Sequence, residues 1–457
     1  MGLQSNEVIM VRSFSKYLIP VCLILFILPA SALAIETFEI FPKGGVKLDD
    51  GEMRWGRILL HPGFAFRTTY NDNVFRGADK TFVNGSFETR QEDVYFSNKP
   101  SLGVELQRGA GEVFGFYFDY KGEDQHFRKL GRLNAFNHDI SGWLNFGGPG
   151  GRADITIGGR YDKSNNLNSV SLGGVPVTGG GVPPVGSIGN SDLQSNIGNR
   201  IAVKTTEGFM DVIYALSKIF KLKFRADATV RDFGGTSSAQ NVNIYNFGGS
   251  FFWQATSVVA YGIKYNHRMR DFDTVAFTTN DNSDTDQVYL AMKWKPTKLI
   301  FTDIAVGFNT KRFDHSSGED RQDFLYQIYA EYKPVERTII SMRAYREILD
   351  SSFQTLQSYA HTSVQAKLVQ KLGRKFKIDF SGRLQNRDYG RSIVDLKGGG
   401  IVRKRIDNRF TGSVGLVYEI QKWLQARAGY RYRQVFSNFD DKDFRSNIGT
   451  LEIAAKY

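Results

Sequence analysis

The chain has 457 residues, with 59 Lys and Arg against 47 Asp and Glu, a formal net charge of +12, 47 glycines, 36 Phe, 21 Tyr and 5 Trp. So many aromatic residues exclude a disordered chain, and the single cysteine, Cys22, excludes a disulfide-stapled scaffold or a cysteine metal cluster. Beyond the first thirty-odd residues no apolar run reaches the roughly 18 residues of a spanning helix, so a helical membrane protein is excluded too.

The elements follow in chain order. Arg12 and Lys16 precede an apolar run from Tyr17 to Pro29, and Ala32-Leu33-Ala34 supplies a small-residue cleavage site before Ile35. Residues 1–34 therefore read as a secretory signal peptide, with Met10 as an alternative start. Cys22 is lost on processing. Residues 35–57, with Lys43, Lys47, Asp49, Asp50, Glu52 and Arg54, are expected to form a periplasmic extension. From Ile58 onward the recurring period is two. Leu222, Phe224, Ala226, Ala228 and Val230 alternate with Lys223, Arg225, Asp227, Thr229 and Arg231. A helix would scatter those cations over every face, whereas a strand puts them on one side.

The alternation predicts eighteen strands, at 58–70, 93–107, 112–122, 134–146, 152–162, 201–215, 219–232, 241–255, 257–271, 284–295, 299–313, 322–333, 337–349, 356–370, 374–388, 406–419, 423–437 and 443–457. Short turns such as Ser217-Lys218, Thr256-Ser257 and Pro296-Thr297-Lys298 alternate with longer polar connections at 71–92, 163–200 and 389–405. Transmembrane barrels have that asymmetry, short periplasmic turns and long outer loops. The expected fold is all-β, a transmembrane antiparallel up-and-down barrel over 58–457 with both ends in the periplasm. The last strand alternates Leu451, Ile453, Ala455 and Tyr457. It resembles the aromatic-ended strand that the barrel-assembly machinery recognises.

With the apolar set facing lipid, the inward set is rich in cations: Arg160, Lys223, Arg225, Arg231, Lys264, Arg268, Arg343, Lys377, Arg383, Arg427, Arg431 and Arg433, joined by Lys121, Lys293 and Lys367. Inward acids are fewer: Glu105, Asp119, Asp154, Asp211, Asp227, Asp303, Glu331, Asp379 and Glu419. Eighteen strands enclose a water-filled lumen too wide for side chains to fill, and a basic excess there favours anions. The bland reading is a solvated wall of cross-strand pairs. In the 163–200 connection, Gly173, Pro176, Gly180, Pro183 and Pro184 belong to an uncharged Gly- and Pro-rich stretch. Folded inward it is a constriction; otherwise it is an outer loop.

Several motifs resemble the beta-barrel porin type 2 family. Leu60-His61-Pro62-Gly63-Phe64-Ala65-Phe66-Arg67-Thr68-Thr69-Tyr70-Asn71-Asp72-Asn73-Val74-Phe75-Arg76 is similar to its opening strand, with Asn71 where an acid is common. Gly159-Arg160-Tyr161-Asp162-Lys163-Ser164, Ala344-Tyr345-Arg346-Glu347 and Gly382-Arg383-Leu384-Gln385-Asn386-Arg387-Asp388-Tyr389 are further similar features. The resemblance implies a Gram-negative outer-membrane barrel tied to exopolysaccharide or capsule export. It implies contact with outer-membrane lipid and lipopolysaccharide, and periplasmic polysaccharide-export components as partners.

Nothing in the chain assembles a catalytic set. His361, Thr362 and Ser363 are sequence neighbours, but His361 and Thr362 point to opposite faces of a strand. No cofactor or nucleic-acid partner is expected. The expected function is passive, anion-tolerant export of surface polysaccharide. A general or anion-preferring diffusion porin for small solutes is the alternative, and an occluded structural or adhesive barrel the third reading.

Overall fold

A computed structural model describes residues 47–49, 52–74, 80–83, 86–89, 91–106, 114–147, 152–164, 202–234, 241–273, 282–314, 320–350, 358–395, 401–439 and 443–456. The signal-peptide expectation, Tyr457 and the stretch from Gly173 through Pro184 lie outside them.

The chain opens with a hairpin of β1 (Lys47–Asp49) and β2 (Glu52–Trp55), followed by β3 (Ile58–Asn71). A small hairpin of β4 (Lys80–Val83) and β5 (Ser86–Thr89) stands in the next connection. The wall continues through β6 (Asp93–Leu106), β7 (Phe114–Phe127), β8 (Ala135–Phe146), β9 (Ala153–Ser164), β10 (Val203–Ala215), β11 (Phe220–Phe233) and β12 (Val242–Gln254). It goes on through β13 (Val259–Phe272), β14 (Ser283–Trp294), β15 (Ile300–Phe313), β16 (Arg321–Val335) and β17 (Thr338–Asp350). β18 (Ser358–Leu372), β19 (Phe376–Asp395), β20 (Ile401–Gln421), β21 (Leu424–Ser437) and β22 (Phe444–Lys456) complete it. Each wall strand pairs antiparallel with the next, and β22 pairs with β3 from Ile448↔Asn71 to Lys456↔Gly63. The result is a closed eighteen-stranded barrel, β3 with β6 to β22.

Closure follows from what the strands carry. Their outward residues include Phe308 at 69% exposure, Leu451 at 66% and Leu290 at 63%, a belt that water would not tolerate and lipid accepts. In hydrocarbon every backbone N–H and C=O needs a partner, and closing the sheet removes its edges. One short edge remains where β22 ends, opposite Gly63, and β2 covers it by pairing Met53↔Leu60, Arg54↔Leu59 and Trp55↔Ile58. Pro62 falls between these two neighbours, where its missing N–H breaks no ladder. Among the turns, Gly56 and Gly373 take φ of 61° and 66°, left-handed values that a side chain would strain.

One expectation needs correction. Residues 389–405 were expected to be a loop, but β19 runs on to Asp395 and β20 begins at Ile401, with a register shift between Asp388 and Ser392. In the sequence, Gly398, Gly399 and Gly400 make the whole stretch read as a loop, outweighing the strand propensity of Ile393-Val394 and Ile401-Val402. The 71–92 connection contains β4 and β5, and the extension contains β1 and β2.

Candidate functional site: the charged lumen

Strand parity decides which side chains reach the lumen. On β11 the exposed Leu222 and Phe224 point outward, so Lys223, Arg225 and Arg231 point inward. The same test, carried around the wall by register, turns all twelve expected cations inward, together with Lys121, Lys293 and Lys367. The lumen they share has three sectors.

On β22, β3 and β6 to β11 the cations are largely matched by acids. Arg67 Nε and Arg427 Nη1 donate to the two oxygens of Glu452, at 2.7 and 2.9 Å. Lys99 pairs with Glu123 at 3.0 Å, and Lys121 with Asp119. Arg160 grips Asp139 with two bonds, 3.0 and 2.8 Å. Arg225 sits among Asp211 and Asp227, each at 3.0 Å, and Glu207 at 3.5 Å. From there a chain of polar contacts crosses to the next sector. Asn246 Nδ2 donates to Asp227 at 2.6 Å, and Arg268 Nε donates to Asn246 Oδ1 at 2.7 Å. Arg231 is buried on β11, and among the described residues no acid comes within ion-pairing distance of Lys223.

On β12 to β16 the wall is more apolar. Phe252, Tyr289, Ala291, Ala305 and Leu325 pack into one buried cluster. Lys264 and Lys293 lie over the Phe252 ring, at 5.9 and 4.9 Å from its centre, and share Asp303 at 3.8 Å each. The ring face and the carboxylate together hold both ammonium groups against the wall.

On β17 to β21, Arg427 turns to Glu452 and Arg405 to Asp407, but the inward cations of two adjacent rungs stand apart from acids. One rung of directly paired residues runs Tyr329↔Arg343↔Gln365↔Arg383↔Thr411↔Arg433↔Ser446. The rung below runs Ser341↔Lys367↔Ser381↔Ser413↔Arg431. Arg383 Nη2 donates to Gln365 Oε1 at 2.5 Å, and Arg343 lies over the Tyr345 ring at 5.2 Å. Among the described residues no acid comes within ion-pairing distance of Arg343, Arg383, Arg431 or Arg433. Asp379 rests against Gly415 instead. Arg383, Arg431, Lys367 and Lys377 are exposed to the lumen.

Above these rungs, toward the long connections, the same strands hold a packed cluster. Tyr359 and Tyr389 lie 5.0 Å apart, with Arg387 over the first at 5.7 Å and Arg405 over the second at 4.8 Å. Asp407 accepts from Arg405 Nε at 2.9 Å and from Ser437 Oγ at 2.7 Å. Gln385 Nε2 donates to His361 Nε2 at 3.0 Å, which leaves the Nδ1 proton of His361 toward Glu347, 3.5 Å away. His361 is thus a buried wall residue held between Gln385 and Glu347. Inward residues of the long-connection half are buried elsewhere too, as at Ser97, Gln125, Asn309 and Ser363.

Parity placed the cations, yet several lumen residues escaped it. Arg67, Lys99, Glu123, Asp139, Glu207 and Glu452 are inward partners in ion pairs. The same inward parity marks them in the sequence, but their pairing depends on the register between strands. Arg405 lies within the 389–405 stretch, while Arg387 and Asp407 lie on the expected strands that flank it.

A closed barrel with a lipid-facing apolar belt and a charged interior is a porin-like outer-membrane β-barrel. The family model described as putative beta-barrel porin 2 matches residues 263–457, the same family that the sequence motifs resemble. That segment takes in all of β17 to β21, and the motifs at 344–347 and 382–389, while the opening motif at 60–76 precedes it. Comparison with curated proteins finds no match. Similar solved structures include Pseudomonas aeruginosa OpdK with vanillate, at 8% identity over 87% of this chain and 99% of that chain, TM-score 0.46. A BenF-like porin from Pseudomonas fluorescens Pf-5 gives 9% identity over 87% and 99%, TM-score 0.45. The siderophore receptor PirA from Pseudomonas aeruginosa gives 8% over 87% and 80%, TM-score 0.44.

Proposed function

We propose that the chain is a passive conduit in the Gram-negative outer membrane through which surface polysaccharide leaves the cell. The observation that carries the reading is the lumen itself: eighteen strands around an interior lined with Arg, Lys, Asp, Gln and Ser rather than a packed apolar core. Conduits for hydrophilic polymers need such a wall, because polar side chains replace the water that a moving polymer sheds. The motif resemblance to the beta-barrel porin type 2 family supports polysaccharide as the cargo. In this reading the chain works with outer-membrane lipid, lipopolysaccharide and periplasmic export components, and its signal peptide is removed.

The buried inward residues of the long-connection half, Ser97, Gln125, Asn309 and Ser363 among them, favour a second reading, a barrel occluded at rest. Two measurements separate the readings. Single-channel recording of the refolded mature chain in a planar bilayer is expected to give a conductance with anion preference in a salt gradient. Deleting the gene is expected to abolish surface polysaccharide while leaving uptake of small solutes unchanged. Loss of solute uptake with polysaccharide intact would make the chain a diffusion porin. Silence in the bilayer would favour the occluded barrel.

A further inference from the structure

We infer that the β17–β21 wall is a binding track for a linear polyanion, contacted in turn by Arg343, Arg383 and Arg433. The inference rests on the conduit reading and names the chemistry of what passes.

The rung is not level. Counted from the short-turn end, Arg343 is the sixth residue of β17, Arg383 the eighth of β19 and Arg433 the tenth of β21. Barrel strands tilt by about 35–45°, so a row perpendicular to them climbs the pore. Four steps of about 4.8 Å between strands carry this one about 12 Å along the axis. The three arginines therefore form a stair along the direction of transport. Successive arginines stand two strands apart, roughly 10 Å, about the length of a disaccharide. A glycan with one acid per disaccharide matches that spacing.

The rest of the rung suits the same cargo. Gln365, Thr411 and Ser446 lie between or beside the arginines and offer neutral hydrogen-bonding groups to sugar hydroxyls. Lys367 and Arg431 on the rung below widen the strip. The contrast with the other walls gives the argument its force. Arg67, Lys99, Arg160 and Arg225 are closed off by carboxylates, whereas Arg433 shares the inward face of β21 with Arg431 and is joined to Arg383 across Thr411 on the same rung, with no acid among the described residues in ion-pairing reach of any of the three. The Nε of Arg433 is also buried without a hydrogen-bond partner. Like charges gathered in one place destabilise the empty wall, and an anion relieves that repulsion. Single contacts in the water-filled lumen are weak and screened. Several in series hold a polymer while letting each segment move on, which conduction requires.

The test uses the refolded full-length mature barrel in a planar bilayer, with hexagalacturonate as a carboxylated probe and maltohexaose as a neutral one of equal length. Hexagalacturonate is expected to interrupt the current, and maltohexaose to do so far more briefly. The triple variant R343Q/R383Q/R433Q is expected to shorten the hexagalacturonate residence at least tenfold. R343K/R383K/R433K should keep most of it, and the paired-wall variant R160Q/D139N all of it. Equal residence in wild type and the triple glutamine variant, or equal block by both sugars, would overturn the track while leaving the conduit standing. If the wild type does not conduct, the conduit reading fails, and calorimetric titration of the detergent-held barrel with hexagalacturonate decides the track. Binding lost in the triple glutamine variant supports it, and no binding to the wild type overturns it.

Discussion

At the scale of single residues, Glu452 shows how the barrel is closed. It lies on β22 with its side chain 4% exposed, accepting from Arg67 on β3 and from Arg427 on β21. One carboxylate thus ties the last strand to both neighbours. Glu452→Gln keeps the shape and removes the charge, leaving two guanidiniums facing each other. Breaking a fully buried pair costs about 3–5 kcal/mol. Arg427 is half exposed and Arg67 a third, so a loss of about 1–3 kcal/mol is expected here. The temperature at which the folded band disappears on a semi-native gel should fall, and the double variant R427Q/E452Q should recover part of the fall. Gly307 makes a different point. A Cβ on it would stand 1.9 Å from the carbonyl oxygen of Val288 and 2.9 Å from the Cα of Tyr289, so β14 and β15 approach closely there only because the side chain is absent. Gly307→Ala should cost about 1–3 kcal/mol in urea titration. Gly249→Ala, where a Cβ meets nothing within 4 Å, should stay within about 0.5 kcal/mol.

At the scale of elements, β19 and β20 run 20 and 21 residues, and their outer parts, Ser392↔Lys404 to Asp395↔Ile401, pair only with each other. Strands that outrun their neighbours in this way belong on the side of the long connections, so the hairpin is expected at the cell surface. An epitope inserted between Asp395 and Ile401 should be labelled on intact cells, and one inserted at Gly373 only after the outer membrane is opened. Labelling of both sites, or of Gly373 alone, would reverse the orientation. This hairpin also marks how far the sequence can be read. Alternation is local, so strands such as β11 and β21 show their ends within a residue or two, and parity sends every expected cation inward. Long extensions hide where Gly398, Gly399 and Gly400 outweigh short β-branched pairs. The partners of the lumen charges hide for a deeper reason. Whether Arg160 meets Asp139, or Arg383 meets Gln365, depends on the register between strands, and alternation within one strand carries no information about it. The contrast between matched and bare walls is thus a product of assembly.

For the whole molecule, the decisive property is that no wall strand is an edge. β22 meets β3 in the same antiparallel manner as every other neighbouring pair, and β3 begins and β22 ends on the short-turn side. If the stability of the barrel resides in closure as a whole, the position of the break in the chain is immaterial. A circular permutant that begins at Thr297, runs to Lys456, passes through a flexible Gly-Ser linker to Lys47 and ends at Pro296 keeps every strand pair, including the cover that β2 gives to β3. It opens only the exposed turn between β14 and β15. Exposed turns of this kind are where such cuts are tolerated. Refolded into detergent or lipid, the permutant should show the same heat-dependent gel shift and the same strand content by circular dichroism as the native order, with unfolding within a few degrees. Refolding needs no assembly machinery, so failure would mean that β22 and β3 must zip together last and from free ends. The Arg67–Glu452–Arg427 contact would then be a step in assembly as well as a bond in the finished wall.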